Sequence, residues 1–341
     1  MMKVDFSYKK KKIDYISGFI FKGKHYRCNY IRFKTLYRNP AEGTETVELY
    51  NFMPKDKTYA SALILHGLGS ANVKYMIWMA RRLASVGINT TILILPGNYT
   101  RVDKKSVSGR SYLWPDLKIM YRFWEHGVID TLTTIDFLKQ EGLWRKDHIL
   151  LGYCLGGMVG TIVEALEPQL KHLLLMTTGG HLPEILYNSP ATTFVKRLIE
   201  KGFKDEYELH NPDKIFDIYN TQFEKVRKMS LNELINSENI HPLFKIDPLS
   251  YAHLINPKKI TFVEAFFDKT LSKKSRKMLF SEFKGAKRYI IPTGHVTWLP
   301  FEFLLAKNVI KILNIEDLKI KSRLYGFDEI EEALDDEVIK K

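Results

Sequence analysis

Three residues far apart in the chain, Cys154, Asp268 and His295, have the types and the order that nucleophilic acyl chemistry needs. Cys154 sits in Ile149-Leu150-Leu151-Gly152-Tyr153-Cys154-Leu155-Gly156-Gly157, where an apolar run passes directly into a helical stretch. A strand that turns sharply into a helix strains the residue at the bend and needs small neighbours two positions to either side. Gly152 and Gly156 are those neighbours. The side chain at the bend then stands above the sheet at a helix N-terminus, which favours negative charge, and the thiolate is the nucleophilic form of cysteine. Phe266-Phe267-Asp268 closes a later apolar run, and Pro292-Thr293-Gly294-His295 follows the next one. In those places Asp268 orients His295 and stabilises its imidazolium, while His295 takes the Cys154 proton. Glu264 and Asp247 are the alternative acids, one placed mid-strand and the other at a turn before Pro248.

Acyl transfer also needs donors for the oxyanion. The residue after the nucleophile supplies one, the Leu155 N–H; the loop after an earlier strand supplies the second. Leu65-His66-Gly67-Leu68-Gly69 occupies that place and makes the Leu68 N–H the candidate. His66, Tyr153, His181 and Arg101 are candidate substrate contacts, although His66 also suits a purely structural role. Arg101 and Arg110 share one loop, where they could grip a carboxylate bidentately or be solvated. His126 lies in a helical stretch, and Cys28 reads as packing. The elbow does not suit a phosphate: a dinucleotide site needs glycine where Cys154 stands, and no Walker Lys-Ser/Thr pair follows. The ten histidines show no His-x-x-x-His spacing and the cysteines no Cys-x-x-Cys, so neither a metal nor a cofactor is expected.

Short apolar runs bounded by Gly and Pro must hold these residues. They fall at 62–65, 91–95, 149–151, 173–176, 260–267 and 288–291, and read as strands buried on both faces of a parallel sheet. Residues 27–36 and 44–52, separated at Asn39-Pro40, predict an N-terminal β-hairpin. Between the runs lie amphipathic stretches at 72–86, 117–140, 155–166 and 302–313, the second with Asp116 as its N-cap. This alternation predicts an α/β fold with a mostly parallel central sheet flanked by helices. From 181 to 257 there is no strand, only helix-like stretches such as 191–201 and 214–228, which predicts a helical lid or cap. The expected organisation is a basic arm with the start of the hairpin at 1–40, a core at 41–180 and 258–313, the lid at 181–257, and a charged tail at 314–341.

The 341 residues carry a net charge of +13, with 45% hydrophobic and 27% charged residues, as a globular protein should. Residues 1–40 hold +9 of that charge and residues 326–341 hold −5, so the basicity is not gathered as a nucleic-acid surface would gather it. The acidic stretch Asp328–Glu337 reads as a solvated helix. Two cysteines exclude a disulfide scaffold, and no apolar run approaches the roughly 18 residues of a membrane span. The apolar segment after Lys9–Lys12 is interrupted by Asp14, Ser17 and Lys22, unlike a secretory signal, which makes the expected location cytoplasmic.

Over residues 45–313 these features resemble the α/β-hydrolase superfamily. The elbow Gly-Tyr-Cys-Leu-Gly-Gly is similar to that of dienelactone hydrolases, which use a Cys-Asp-His triad; the resemblance implies Cys154 as nucleophile, Asp268 as acid and His295 as base. The chain is longer than those enzymes by the hairpin and the helical insertion. It is also similar to a group of bacterial α/β-hydrolases, in Leu95-Pro96-Gly97-Asn98-Tyr99-Thr100-Arg101 and Ser108-Gly109-Arg110. The expected function is metal-free hydrolysis of an ester, thioester or lactone, with a small-molecule acyl substrate. Acyl transfer of the polyester-synthase type, which shares a Cys elbow, and a non-catalytic hydrolase-fold binding protein are the rival readings.

Overall fold

A computed structural model of the chain describes residues 2–70, 73–104, 106–298 and 301–315, with the backbone of 330–331. Its frame is a ten-stranded sheet. The strands are β1 (Tyr15–Gly23), β2 (Tyr26–Lys34), β3 (Thr46–Pro54), β4 (Ala60–Leu65), β5 (Ile88–Ile94), β6 (His148–Tyr153), β7 (His172–Met176), β8 (Ile260–Ala265), β9 (Lys287–Ile291) and β10 (Ile330–Glu331). They are ordered β10-β1-β2-β3-β5-β4-β6-β7-β8-β9. From β5 to β9 every pairing is parallel, and β10 through β3 join antiparallel. Every residue of β4, β5 and β8 is buried, which is why these runs read as continuous apolar segments instead of alternating ones.

Two groups of helices flank the sheet. α1 (Lys74–Ser85) packs with α10 (Glu302–Ile312), whereas α2 (Leu117–Gln140), α3 (Leu155–Leu166) and α8 (Pro248–Ala252) pack together. Asp116 caps α2 as expected, its carboxylate accepting the N–H groups of Lys118 and Ile119 at 2.9 and 3.2 Å. Between β7 and β8 the chain is helical, with α4 (Leu182–Asn188), α5 (Thr193–Glu200), α6 (Pro212–Val226) and α7 (Leu231–Asn236) ahead of α8. No helix among the described residues is long and apolar enough to cross a membrane.

Three expectations change. The first 40 residues are not a separate arm: β1 and β2 continue the same sheet, and the chain before them lies along α2. Val4, Phe6 and Ile13 are buried there, and the Ile13 N–H donates to Gln140 at 2.8 Å, while the Lys9–Lys12 run is exposed. The hairpin is therefore part of a three-stranded meander. Finally, within the stretch expected as an acidic helix, Ile330–Glu331 pair with Gly23 and Lys22 on the edge of β1. The rest of that tail lies outside the described residues.

The meander is fastened to α2 by a buried polar cluster. Asp130 accepts Thr35 Oγ1 at 2.5 Å and Arg101 at 2.6 Å, with His126 Nε2 at 3.1 Å. Arg101 also donates to the carbonyls of Ile94 (2.6 Å) and Thr44 (2.8 Å). Arg101 and Asp130 are both inaccessible to solvent, so removing one partner strands a desolvated charge. Asp130→Ala is expected to cost about 3–5 kcal/mol of stability in urea unfolding. A loss below about 1 kcal/mol would show that the cluster does not hold the meander.

Candidate active site

The elbow forms as its spacing requires. Cys154, at the N-cap of α3, has φ 50° and ψ −112°, a region that non-glycine residues avoid. A Cβ at Gly152 would lie 2.5 Å from the carbonyl oxygen of Gly156, and one at Gly156 would press into the Leu65 carbonyl. The bend is held by hydrogen bonds on both sides. The Cys154 N–H donates to the Met176 carbonyl (3.0 Å), the Thr178 hydroxyl donates to the Cys154 carbonyl (2.7 Å), and the Gly156 N–H donates to the His66 carbonyl (3.0 Å).

Asp268 and His295 meet as expected. His295 Nδ1 lies 2.8 Å from Asp268 Oδ2. The other oxygen of Asp268 accepts the N–H groups of Thr270 (2.8 Å) and Leu271 (3.0 Å), which fixes the carboxylate plane. His295 lines the same cavity as Cys154. Burial alone opposes a charge on His295. The electrostatic influence of the adjacent Cys154, together with the hydrogen bond to Asp268, outweighs it and pushes the imidazole up to about 10. The alternative acids are engaged elsewhere: Glu264 is paired with Arg276 and Arg288, and buried Asp247 accepts the N–H groups of His181, Leu182 and Leu249.

Cys154 and His295 line a cavity of about 470 Å³, together with Gly67, Leu68, Tyr153 and Leu155. Among the described residues, neither the Leu68 nor the Leu155 N–H has a hydrogen-bond partner. Tyr153 is a wall of this cavity, and its hydroxyl donates to the His295 carbonyl at 2.9 Å, tying the elbow to the histidine loop.

Three expected substrate contacts lie elsewhere. His66 is fully buried: its Nε2 accepts the Leu95 N–H (2.9 Å), so Nδ1 carries the proton to the Gly67 carbonyl (2.7 Å). Burial pushes this imidazole down to about 4, and the neutral ring braces the loop it begins. Arg101 is consumed by the Asp130 cluster. His181 caps α4, its Nδ1 accepting the Glu184 N–H at 3.2 Å, and its ring lies against Tyr219 and Phe216. Arg110 stacks on Phe194.

Asn98 escaped the sequence reading. Its side-chain oxygen accepts the Gly69 N–H (2.9 Å), while Ser108 donates to the Ser70 carbonyl (3.1 Å). The Leu95–Arg101 and Ser108–Arg110 segments thus buttress the 66–70 loop from outside. Asn-Tyr after a Pro-Gly turn was the only available signal. Tyr75 and Trp298 were missed as well; both pack edge-on to Tyr153.

No protein-family model matches the chain, and no curated protein matches it in sequence. Among solved structures it is similar to acetyl xylan esterase from Paenibacillus sp. R4, with a TM-score of 0.58 and 13% identity over 88% of this chain and 89% of that one. It is similar to acetyl xylan esterase 1 from Thermoanaerobacterium sp. JW/SL YS485, with a TM-score of 0.55 and 15% identity over 89% of each chain. It also resembles the acylaminoacyl peptidase of Pyrococcus horikoshii, with a TM-score of 0.57 and 15% identity over 88% of this chain and 44% of that one. At these identities the likeness is one of fold: the chain has the α/β-hydrolase fold.

The elbow has no space for a side chain at Gly156, whereas Gly18 in β1 faces nothing within 4 Å. Gly156→Ala is expected to destabilise by about 3 kcal/mol or to fail to fold, and Gly18→Ala to stay within about 0.5 kcal/mol, read by thermal and urea unfolding. Equal effects at both positions would remove the packing argument.

Proposed function

We propose that the protein is a hydrolase that cleaves an ester, thioester or lactone through a Cys154 acyl-enzyme. The observation that carries this reading is His295 bonded to Asp268 on the wall of a cavity that Cys154 also lines. The esterase names of the similar solved structures agree with it, and so does the elbow similar to that of dienelactone hydrolases.

In the proposed cycle the Cys154 thiolate attacks the substrate carbonyl, forming the S–C bond. The negative charge moves to the carbonyl oxygen, which the Leu68 and Leu155 N–H groups receive. Collapse breaks the bond to the leaving oxygen or sulfur, which takes the proton from the His295 imidazolium. His295, now neutral, removes a proton from water as the water attacks the thioester, and the acid product departs as Cys154 and His295 regain their starting state. Asp268 holds Nδ1 protonated throughout, so that the other ring nitrogen does the exchange.

Two measurements check this. Brief treatment with p-nitrophenyl acetate is expected to leave an acetyl adduct on the peptide containing Cys154, and Cys154→Ala to lose at least ~10³-fold in kcat/KM. An unmodified Cys154 peptide with an undiminished rate in the variant sinks the reading. The pH profile carries the second. A histidine raised to about 10 keeps its proton through neutral pH. Activity is therefore expected to hold a plateau into the alkaline range and to fall as pH rises through about 10, where the leaving group loses its proton donor. Activity that instead rises with pH around 6.5 would mark an ordinary neutral imidazole base.

A further inference from the structure

Resting on the acyl-hydrolase reading, we propose that the cavity beside Cys154 selects an uncharged aliphatic acyl group and rejects acyl groups that carry a carboxylate. Leu113, Leu155, Met158, Ile185 and Leu271 all line it, and each is 4% exposed or less. They come from four separate places: the turn Arg110–Leu113, helix α3, helix α4, and the segment after Asp268. An apolar wall assembled from four segments is a built surface, not the visible edge of one helix's core stripe. Apart from Cys154 and His295, the polar lining is neutral, from Ser70, Tyr75, Tyr153, Ser189 and Thr270.

Among the described lining residues there is no Lys, Arg, Asp or Glu. The arginines that a carboxylate would need are committed, Arg101 to Asp130 and Arg110 to the face of Phe194 at 4.9 Å. Among the described lining residues His295 is the one cationic group, and it is already held by Asp268 at 2.8 Å. A carboxylate carried in on the acyl chain would lose its water and meet no Lys or Arg, only an imidazole already paired with Asp268. A methylene in the same place would gain burial worth about fourfold in binding.

The test compares methyl acetate, methyl butyrate, methyl hexanoate and monomethyl succinate as substrates of the wild-type protein in a pH-stat. The same esters are titrated into Cys154→Ala by calorimetry. For the neutral series kcat/KM is expected to rise about fourfold per methylene, and monomethyl succinate to fall at least ~100-fold below butyrate. Cys154→Ala is expected to bind the esters in the same order. Turnover that is level across chain length, with succinate equal to butyrate, overturns the acyl-group assignment and leaves the hydrolase reading standing. Binding in the expected order with no turnover by the wild-type protein does the reverse. Binding of succinate as tight as that of butyrate overturns the assignment whether or not turnover occurs.

Discussion

Cys154 keeps φ at 50° and ψ at −112° only because its neighbours leave it no other course. Such a conformation costs on the order of 1–3 kcal/mol. The bonds that offset it run to Met176 at the end of β7, to Thr178 just beyond, and from Gly156 to His66 at the end of β4. Relaxing the bend would break contacts with the strands on both sides of β6. The strain has two effects in opposite directions along the chain. It lifts the thiol to the cavity wall, and it turns the Leu155 N–H away from any intrahelical partner, because the first N–H groups of a helix have none.

The same logic extends outward in layers. The 66–70 loop has little packing of its own, and its shape comes from partners reached across the sheet end. Leu95 donates to His66, Asn98 accepts from Gly69, and Ser108 donates to Ser70. Arg101 closes the next layer by bonding the Ile94 carbonyl and Asp130 together. Asp130 in turn takes the hydroxyl of Thr35, just beyond the end of β2. The N-terminal meander is thus physically continuous with the loop that carries Leu68, although no residue of it lines the cavity.

What the sequence shows and what it hides follow from the range of the interactions involved. The limits of α2 and α3 are legible because Asp116, the apolar period and the glycine spacing act within a few residues. The elbow and Asp268 are legible because each follows a doubly buried strand, whose composition is unambiguous, while His295 follows the short apolar end of the exposed edge strand β9. β1 is hidden because Tyr15 to Ile20 are exposed on both faces, so no alternation marks it. His66, His181 and Arg101 were misplaced for a different reason. Residue type states what a side chain is able to bond, but their partners, Leu95, Glu184 and Asp130, are supplied by the folded arrangement. Asn98 is the same case in reverse, an ordinary loop amide until Gly69 is brought beside it.

The charges at the cavity form a closed set, and that constrains the proposed chemistry more than the triad alone. Asp268 is satisfied on one oxygen by two backbone N–H groups and on the other by His295. His295 is paired with Asp268, and among the described lining residues there is no other ionic side chain besides Cys154 for a substrate to answer. With apolar walls around it, an ionic interaction at His295 is weakly screened. A second anion brought into the cavity would disturb the His295–Asp268 pair. A neutral acyl group leaves the pair intact until the tetrahedral step, when the new negative charge appears on the carbonyl oxygen. In the proposed cycle it is received by the Leu68 and Leu155 N–H groups, which have no hydrogen-bond partner among the described residues.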